Sequence, residues 1–164
     1  MSEKDYRIGN GWDVHAFESG RPLVLGGVTI PHEKGLAGHS DADALLHAIA
    51  DSVLGALALG DIGDMFPNND PQWKNADSRK LLALVWEKAS SAGWSLVNCD
   101  CMVLLERPKL APHILAMREQ IAKVFVAQVS QISIKATTSE GLGFVGREEG
   151  IAASSSVLLV RTAA

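Results

Sequence analysis

Within the stretch GNGWDVHAF, residues 9–17, an acid and an imidazole, Asp13 and His15, stand two apart in an otherwise apolar, aromatic run. If the segment is a strand, its period of two sends both side chains out of the same face, so one metal ion could take both. A third candidate, His47, falls in SDADALLHAIADSVLGALAL, residues 40–59, whose apolar residues recur at helical spacing. There Asp43, His47 and Asp51 step by four and form one polar row on a cylinder that is otherwise apolar nearly all round. A polar row on a buried helix needs a partner. Asp13, His15 and His47 make a three-ligand set suited to Zn²⁺, with the fourth position left open for a ligand oxygen as catalytic zinc sites require. Asp43 or Asp51 could accept an imidazole N–H behind those ligands. Taken singly, each histidine reads as a hydrogen-bonded structural or surface side chain; only the combination points to a metal.

A second group of polar residues lies in TTSEGLGFVGREEG, residues 137–150. Its glycines, Gly141, Gly143 and Gly146, spell G-x-G-x-x-G, but the segment runs into an apolar stretch from Ile151 that reads as a strand. The dinucleotide fingerprint must instead open a helix whose N-terminus meets the pyrophosphate. A turn-rich hairpin is the better reading. Its flanks offer hydroxyls on Thr137, Thr138 and Ser139, an acid at Glu140 and a guanidinium at Arg147, a set matched to phosphates and Mg²⁺. Ser40, read as the N-cap of the first helix with Asp43 at N3, adds a candidate anion site. The sequence contains neither a P-loop nor a G-x-S-x-G elbow.

The elements that must hold these residues follow from periodicity. Residues 5–17 and 22–30 read as strands, the second broken by Gly26-Gly27, and residues 40–59 as the first helix. A turn-rich loop, GDIGDMFPNNDPQW, leads to a second helix from about Asp77 to Gly93. WSLVNCDCMVLLE reads as a long strand with Val97, Cys99, Cys101, Val103 and Leu105 on one face and a mixed face opposite. Pro112 opens a third helix to about Val126, and QISIKAT and IAASSSVLLV close the chain as strands. The order predicts an α+β, two-layer fold: one mixed sheet covered on one face by about three helices, its half-apolar back suited to another subunit. The spacing of Cys99 and Cys101 within one strand strains any disulfide between them, so both read as buried free thiols.

The 164 residues suffice for one domain with a real core, and 47% hydrophobic against 21% charged residues is a globular composition. A net charge of −4 argues against a broad nucleic-acid or anionic-membrane surface. No apolar run reaches a membrane span, and MSEKDYRIG lacks the apolar core of a leader, so the expected location is cytoplasmic.

Together DVHAF, GHSDADALLHAIADSVLGALALGDIG, FPNNDP, ADSRKLL, PKLAPH and KATTSEGLGFVGREEGI closely resemble the 2-C-methyl-D-erythritol 2,4-cyclodiphosphate synthase family over essentially the whole chain. The resemblance implies a homotrimer with C3 symmetry and active sites between subunits. Its implied reaction cyclises 4-diphosphocytidyl-2-C-methyl-D-erythritol 2-phosphate with release of CMP, in non-mevalonate isoprenoid biosynthesis. By the same resemblance Asp13, His15 and His47 hold zinc and Glu140 holds Mg²⁺ or Mn²⁺ with the substrate diphosphate. His39 and Thr138 steady the reacting phosphates, with Ser40 near the attacking one. Asp61, Ile62 and Gly63 grip the erythritol, and the segment from Phe66 through Asn68 to Asp70 forms a flap. Backbone along Leu105, Pro108, Lys109, Leu110 and Ala111, with Ala136 and Thr137, reads cytidine, and Phe144 and Arg147 make further contacts, the arginine near the trimer axis. Three residues depart from the family pattern: Asn68 where an acid is expected, Trp12 where tyrosine or phenylalanine is usual, and Glu148, a charge beside Arg147. The competing reading is a zinc-dependent nucleotide pyrophosphate hydrolase, in which the same ligands activate water.

Overall fold

The structure, a computed structural model, describes residues 4–162 of the chain. Seven strands and three helices of more than one turn alternate along it: β1 (Lys4–Ser19), β2 (Leu23–Leu25), β3 (Val28–Ile30), β4 (Lys34–Leu36), α1 (Ala44–Ala56), the single turn α2 (Ile62–Met65), α3 (Ser78–Ser91), β5 (Ser95–Leu104), α4 (Ile114–Phe125), β6 (Ile132–Thr137), the single turn α5 (Gly143–Gly146) and β7 (Gly150–Thr162). The main sheet runs β4-β1-β7-β5-β6. All its pairs are antiparallel except β5 with β6, and β2 with β3 forms a separate hairpin. This is the mixed sheet of an α+β fold with helices on one face.

The alternation along the strands sets that face. In β7 Ile151, Ala153, Val157 and Leu159 are buried, and in β5 Cys99, Cys101 and Val103 are buried, each strand presenting every second residue to the core. Both cysteines are free. Helix α1 is buried on nearly every side, by Leu45, Leu46, Ile49, Val53 and Leu54 among others, because the sheet lies beneath it and α3 crosses it. Removing each such side chain from water contributes roughly 1.5–3 kcal/mol. Trp86 of α3 meets Phe125 of α4 edge-on at 4.8 Å between ring centres, joining the outer helices.

What lets α1 lie so low is the absence of side chains beneath it. A Cβ on Gly9 would stand 1.8 Å from the carbonyl oxygen of Ser52, and one on Gly11 1.9 Å from that of Ala48. Both obstacles are helix backbone. The strand and the helix are thus in direct main-chain contact, and a methyl group at either position must push the whole helix away.

Several local expectations are corrected. Helix α1 begins at Ala44, with Asp43 rather than Ser40 as its N-cap. Ala42 adopts a left-handed φ of 58°, which turns the chain out of the helix before Ser40 can join it. In β5 a bulge between Leu96 and Asn98 shifts the register, so Leu96 is buried and Val97 leaves the core face. The third long helix starts at Ile114, after a 3₁₀ turn over Ala111–His113, and ends at Phe125. The 137–150 segment contains one helical turn, Gly143–Gly146, before β7, so it is more than a hairpin loop. It still delivers the chain into a strand.

Gly11→Ala is expected to cost about 3 kcal/mol or more in urea unfolding, at the top of the range for overpacking, because rigid carbonyl backbone is the obstacle.

Candidate functional site

Strand β1 sends Gly9, Gly11, Asp13 and His15 out of the face that meets α1. The two glycines bring the helix down, and two residues further on the same close approach sets His47 of α1 against Asp13 and His15. Asp13 Oδ2 lies 2.9 Å from His15 Nε2 and 3.0 Å from His47 Nδ1. The two imidazole nitrogens are 3.2 Å apart. Among the described residues this is the group of three that could hold a metal ion. Three ligands about 2.0–2.1 Å from one centre in a tetrahedron stand about 3.3 Å from one another, close to the observed triangle.

The outward nitrogens decide what the inward ones offer. His15 Nδ1 donates to the carbonyl oxygen of Ala37, so its Nε2 turns a lone pair into the triangle. His47 Nε2 lies 3.0 Å from Ser78 Oγ and 3.2 Å from Ser40 Oγ. With its proton on that side, His47 Nδ1 also faces inward as an acceptor. A carboxylate and two imidazole lone pairs then converge, which is unfavourable until a proton or cation sits among them. The donor set and its spacing fit a divalent metal. Burial pushes the Asp13 carboxyl up, but pairing with the His15 and His47 rings when these carry a second proton outweighs it and brings the carboxyl to about 2. For His15 burial acts to lower the pKa, and the adjacent Asp13 carboxylate overcomes it and raises the value above the usual 6.5.

The acids expected behind these three side chains are engaged elsewhere. Asp43 Oδ1 accepts from Gly26 N–H and Leu46 N–H, and its Oδ2 from Gly27 N–H. It caps α1 and clamps the β2–β3 turn. Burial pushes its carboxyl up to about 6 against the pull of these donors. Asp51 accepts from Ile62 N–H and fixes the turn α2 to the helix. Neither touches an imidazole; the hydroxyls of Ser78 and Ser40 and the carbonyl oxygen of Ala37 fill that role.

A cleft of about 240 Å³ opens over the triangle, and its walls include His39, Ser40, Ile62, Gly63, Phe66 and Asn68. The side-chain atom His39 Nε2 is buried there without a hydrogen-bond partner. Gly38, Trp73 and Leu81 also line it and were not anticipated; Trp73 packs edge-on against Phe66 at 4.9 Å, a contact that the composition of a loop does not announce. Asp61 and Asp70 do not line it. Their carboxylates cap the turns at Ile62–Met65 and Pro71–Trp73.

A second cleft, of about 250 Å³, is lined by Leu105, Pro108, Lys109, Leu110 and Ala111 on one side and by Ala136, Thr137 and Thr138 on the other. Parallel pairing of β5 with β6 brings their C-terminal ends together and so joins these two segments. The two clefts share no lining residue, so Thr138 is not in the metal cleft of its own chain. Glu140 and Arg147 line neither. Glu140 Oε1 accepts from Thr138 Oγ1 at 3.2 Å, Arg147 pairs with Glu149 at 2.8 Å, and Phe144 is half-exposed. Glu148 turns from Arg147 to a fork-to-fork pair with Arg107, at 2.6 and 3.0 Å. The departure noted in the sequence is an ion pair between two loops, and the acid that meets Arg147 is Glu149 instead.

Comparison with known proteins converges on one group. Residues 6–160 match the model of the YgbB family. The chain is 56% identical over 156 residues to the 2-C-methyl-D-erythritol 2,4-cyclodiphosphate synthase of Lysinibacillus sphaericus (strain C3-41), covering 95% of this chain and 99% of that one. It superposes on a 2C-methyl-D-erythritol-2,4-cyclodiphosphate synthase in its CDP-bound form with a TM-score of 0.86 at 38% identity, covering 93% of this chain and 99% of the other. Against the bifunctional IspDF of Campylobacter jejuni the TM-score is 0.93 at 44% identity, over 97% of this chain and 43% of that longer one. With the match running from β1 to β7, the chain belongs to the YgbB family.

Proposed function

We propose that this protein is an enzyme, a phosphorus–oxygen lyase that cyclises 4-diphosphocytidyl-2-C-methyl-D-erythritol 2-phosphate to 2-C-methyl-D-erythritol 2,4-cyclodiphosphate and releases CMP. The reaction belongs to non-mevalonate isoprenoid biosynthesis, and we assign it to the cytoplasm. The observation that carries the reading is the pair of clefts. One is built around three converging metal ligands, and the other is lined by the segments that the resemblance assigns to cytidine. A relative of 38% identity binds CDP.

In this reading an oxygen of the 2-phosphate attacks the β-phosphorus of the diphosphate, and the bond from that phosphorus to the oxygen of the α-phosphate breaks. CMP carries the electron pair away, and an eight-membered ring closes. The attacking phosphate is already an anion near pH 7, so the protein owes it position rather than a general base. Asp13, His15 and His47 would hold Zn²⁺, and Glu140 Mg²⁺ or Mn²⁺ with the diphosphate; such cations, when bound, would supply positive charge to the phosphate oxygens. Ser40 and His39, which line the cleft, offer donors to the same oxygens. Asp61, Ile62 and Gly63 hold the erythritol, and Phe66, Asn68 and Asp70 close over it. Thr138 steadies the diphosphate, while Phe144 and Arg147 contact the ligand from the loop before β7.

Because Thr138 and Glu140 stand apart from the metal cleft of their own chain, we assign the complete site to two subunits of a C3 homotrimer. The back of the sheet supports this assembly. Tyr6, Ile8, Trp12 and Val14 leave β1 on the side away from α1, with Ile8 76% exposed and Trp12 55%. Register aligns Tyr6, Ile8 and Trp12 with Val160, Leu158 and Ser154 of β7, giving a broad part-apolar face. The departures at Trp12 and Asn68 then fall on the subunit face and in the flap.

Incubation of the protein with the cytidine diphosphate substrate, Zn²⁺ and Mg²⁺, followed by ³¹P NMR, separates this reading from its rival. CMP with a cyclic diphosphate is the expected result; CMP with a linear bisphosphate means that water attacks and a hydrolase is at work. His47→Ala is expected to lower kcat by more than about 100-fold, some 3 kcal/mol of lost charge stabilisation, and to abolish zinc uptake with the melting curve of the metal-free protein unchanged. Zinc uptake must also depend on pH. The proton bound by His15, at its raised pKa, competes for the ligand position, whereas Asp13 at about 2 stays ionised. Zinc affinity by calorimetry should therefore fall by about tenfold per pH unit as pH drops below the His15 pKa.

A further inference from the structure

The geometry points to Ser78 and Asp41 as positioning residues for the metal, through a hydrogen-bond chain that fixes the tautomer and rotation of His47. The inference rests on the metal reading above. His47 Nδ1 faces Asp13 and His15, so His47 Nε2 must carry the ring proton if Nδ1 is to be a ligand atom. That proton needs an acceptor in a place where water has little access. Ser78 Oγ, 3.0 Å away on a residue only 1% exposed, is the nearer of two hydroxyls.

What makes Ser78 an acceptor is its own commitment as a donor. Its hydroxyl donates to Asp41 Oδ1, and its backbone N–H donates to Asp41 Oδ2 at 3.1 Å. With the single hydroxyl proton held by a carboxylate, the oxygen's remaining lone pairs face the imidazole. Ser40 Oγ also lies near His47 Nε2, but it accepts Ala42 N–H and lines the cleft where a phosphate would sit. The chain of bonds is thus carboxylate to hydroxyl to imidazole to metal, the arrangement by which an outer acceptor orients a ligating histidine and raises its basicity.

The same bonds tie two loops to the site. Asp41 N–H donates to Ala76 O and Asn75 N–H to His39 O, so the segment before α1 is stitched to the segment before α3. Ser78 is the first residue of α3, and a rigid helix therefore holds the acceptor. In the sequence Ser78 is only a residue that follows the cap Asp77. Its contact with His47 spans 31 positions and no local pattern encodes it.

The test is a competition titration of metal-free wild type, Ser78→Ala and Ser52→Ala against a chelating dye with Zn²⁺ alone, together with the melting temperature of each metal-free protein. Ser52 is a buried serine of α1 bonded to Ile49 O and Ser155 Oγ, remote in bonding from the imidazoles, and serves as the control for loosening of the core. Ser78→Ala is expected to weaken zinc binding by about 10–100-fold while Ser52→Ala stays within about threefold of wild type. A Ser78→Ala affinity within threefold of wild type, or an equal loss in both variants, overturns the inference. Failure of the wild type to take up zinc overturns the metal reading itself. If Ser78→Ala does not fold, Asp41→Asn carries the test: loss of the charge behind Ser78 should weaken zinc binding by more than about threefold, and an unchanged affinity overturns the chain.

Discussion

The contact on which the site depends is main chain against main chain. Helix α1 rests on β1 at Gly9 and Gly11, where a methyl group would penetrate the carbonyl oxygens of Ser52 and Ala48. Metal ligation tolerates little error in distance, and ligands on a strand and a helix share a centre only if the two elements keep a fixed separation. Glycine sets that separation at its minimum. From there the register does the rest: two residues along β1 lies Asp13, and one residue back along α1 from Ala48 lies His47. The apolar sides of α1, held by α3 and by the β2–β3 hairpin that Asp43 clamps, press the helix onto this contact.

The electrostatics of the triangle oppose the packing that assembles it. Three acceptors are brought within 3.2 Å of one another, and in the absence of a cation a proton on His15 relieves the crowding. The fold holds them together because each outward atom is committed: His15 to Ala37 O, His47 to the serine hydroxyls, and Asp13 Oδ1 to the N–H of Val14. Preorganisation of this kind costs stability locally and returns it when a cation arrives. The same commitment of donors and acceptors explains why Asp43 and Asp51 do not stand behind the imidazoles. Asp43 and Asp51 are spent on backbone N–H groups at the helix start and at the turn α2.

Much of the fold was legible from periodicity. The strands of β5, β6 and β7, the capped helix α3 and the all-round burial of α1 follow from patterns of two and of 3.6, and the coupling of Asp13 and His15 follows from strand alternation. Helix starts were less legible. Ser40 and Asp43 are both good caps, and only the left-handed Ala42, stabilised by tertiary contacts, decides between them. The bulge at Leu96–Asn98 was invisible for the same reason. Within the site, candidate ligand-contacting residues could be proposed, since His, Asp and Glu declare their chemistry. Those that we infer to orient them could not: Ser78 and Asp41 meet the site through contacts distant in sequence, and serine serves turns far more often than sites. The sequence showed Glu148 only as a charge beside Arg147; the left-handed backbone at Glu148 turns it toward Arg107, 41 positions away, a pairing no local pattern encodes.

Close packing of α1 on β1 should build one cation site from Asp13, His15 and His47, and anomalous diffraction at the zinc edge from crystals of the zinc-loaded protein shows where the ion sits. A single strong peak about 2.0–2.1 Å from Asp13 Oδ2, His15 Nε2 and His47 Nδ1 is the predicted result. A fully occupied zinc bound elsewhere, with the triangle left empty, would contradict it.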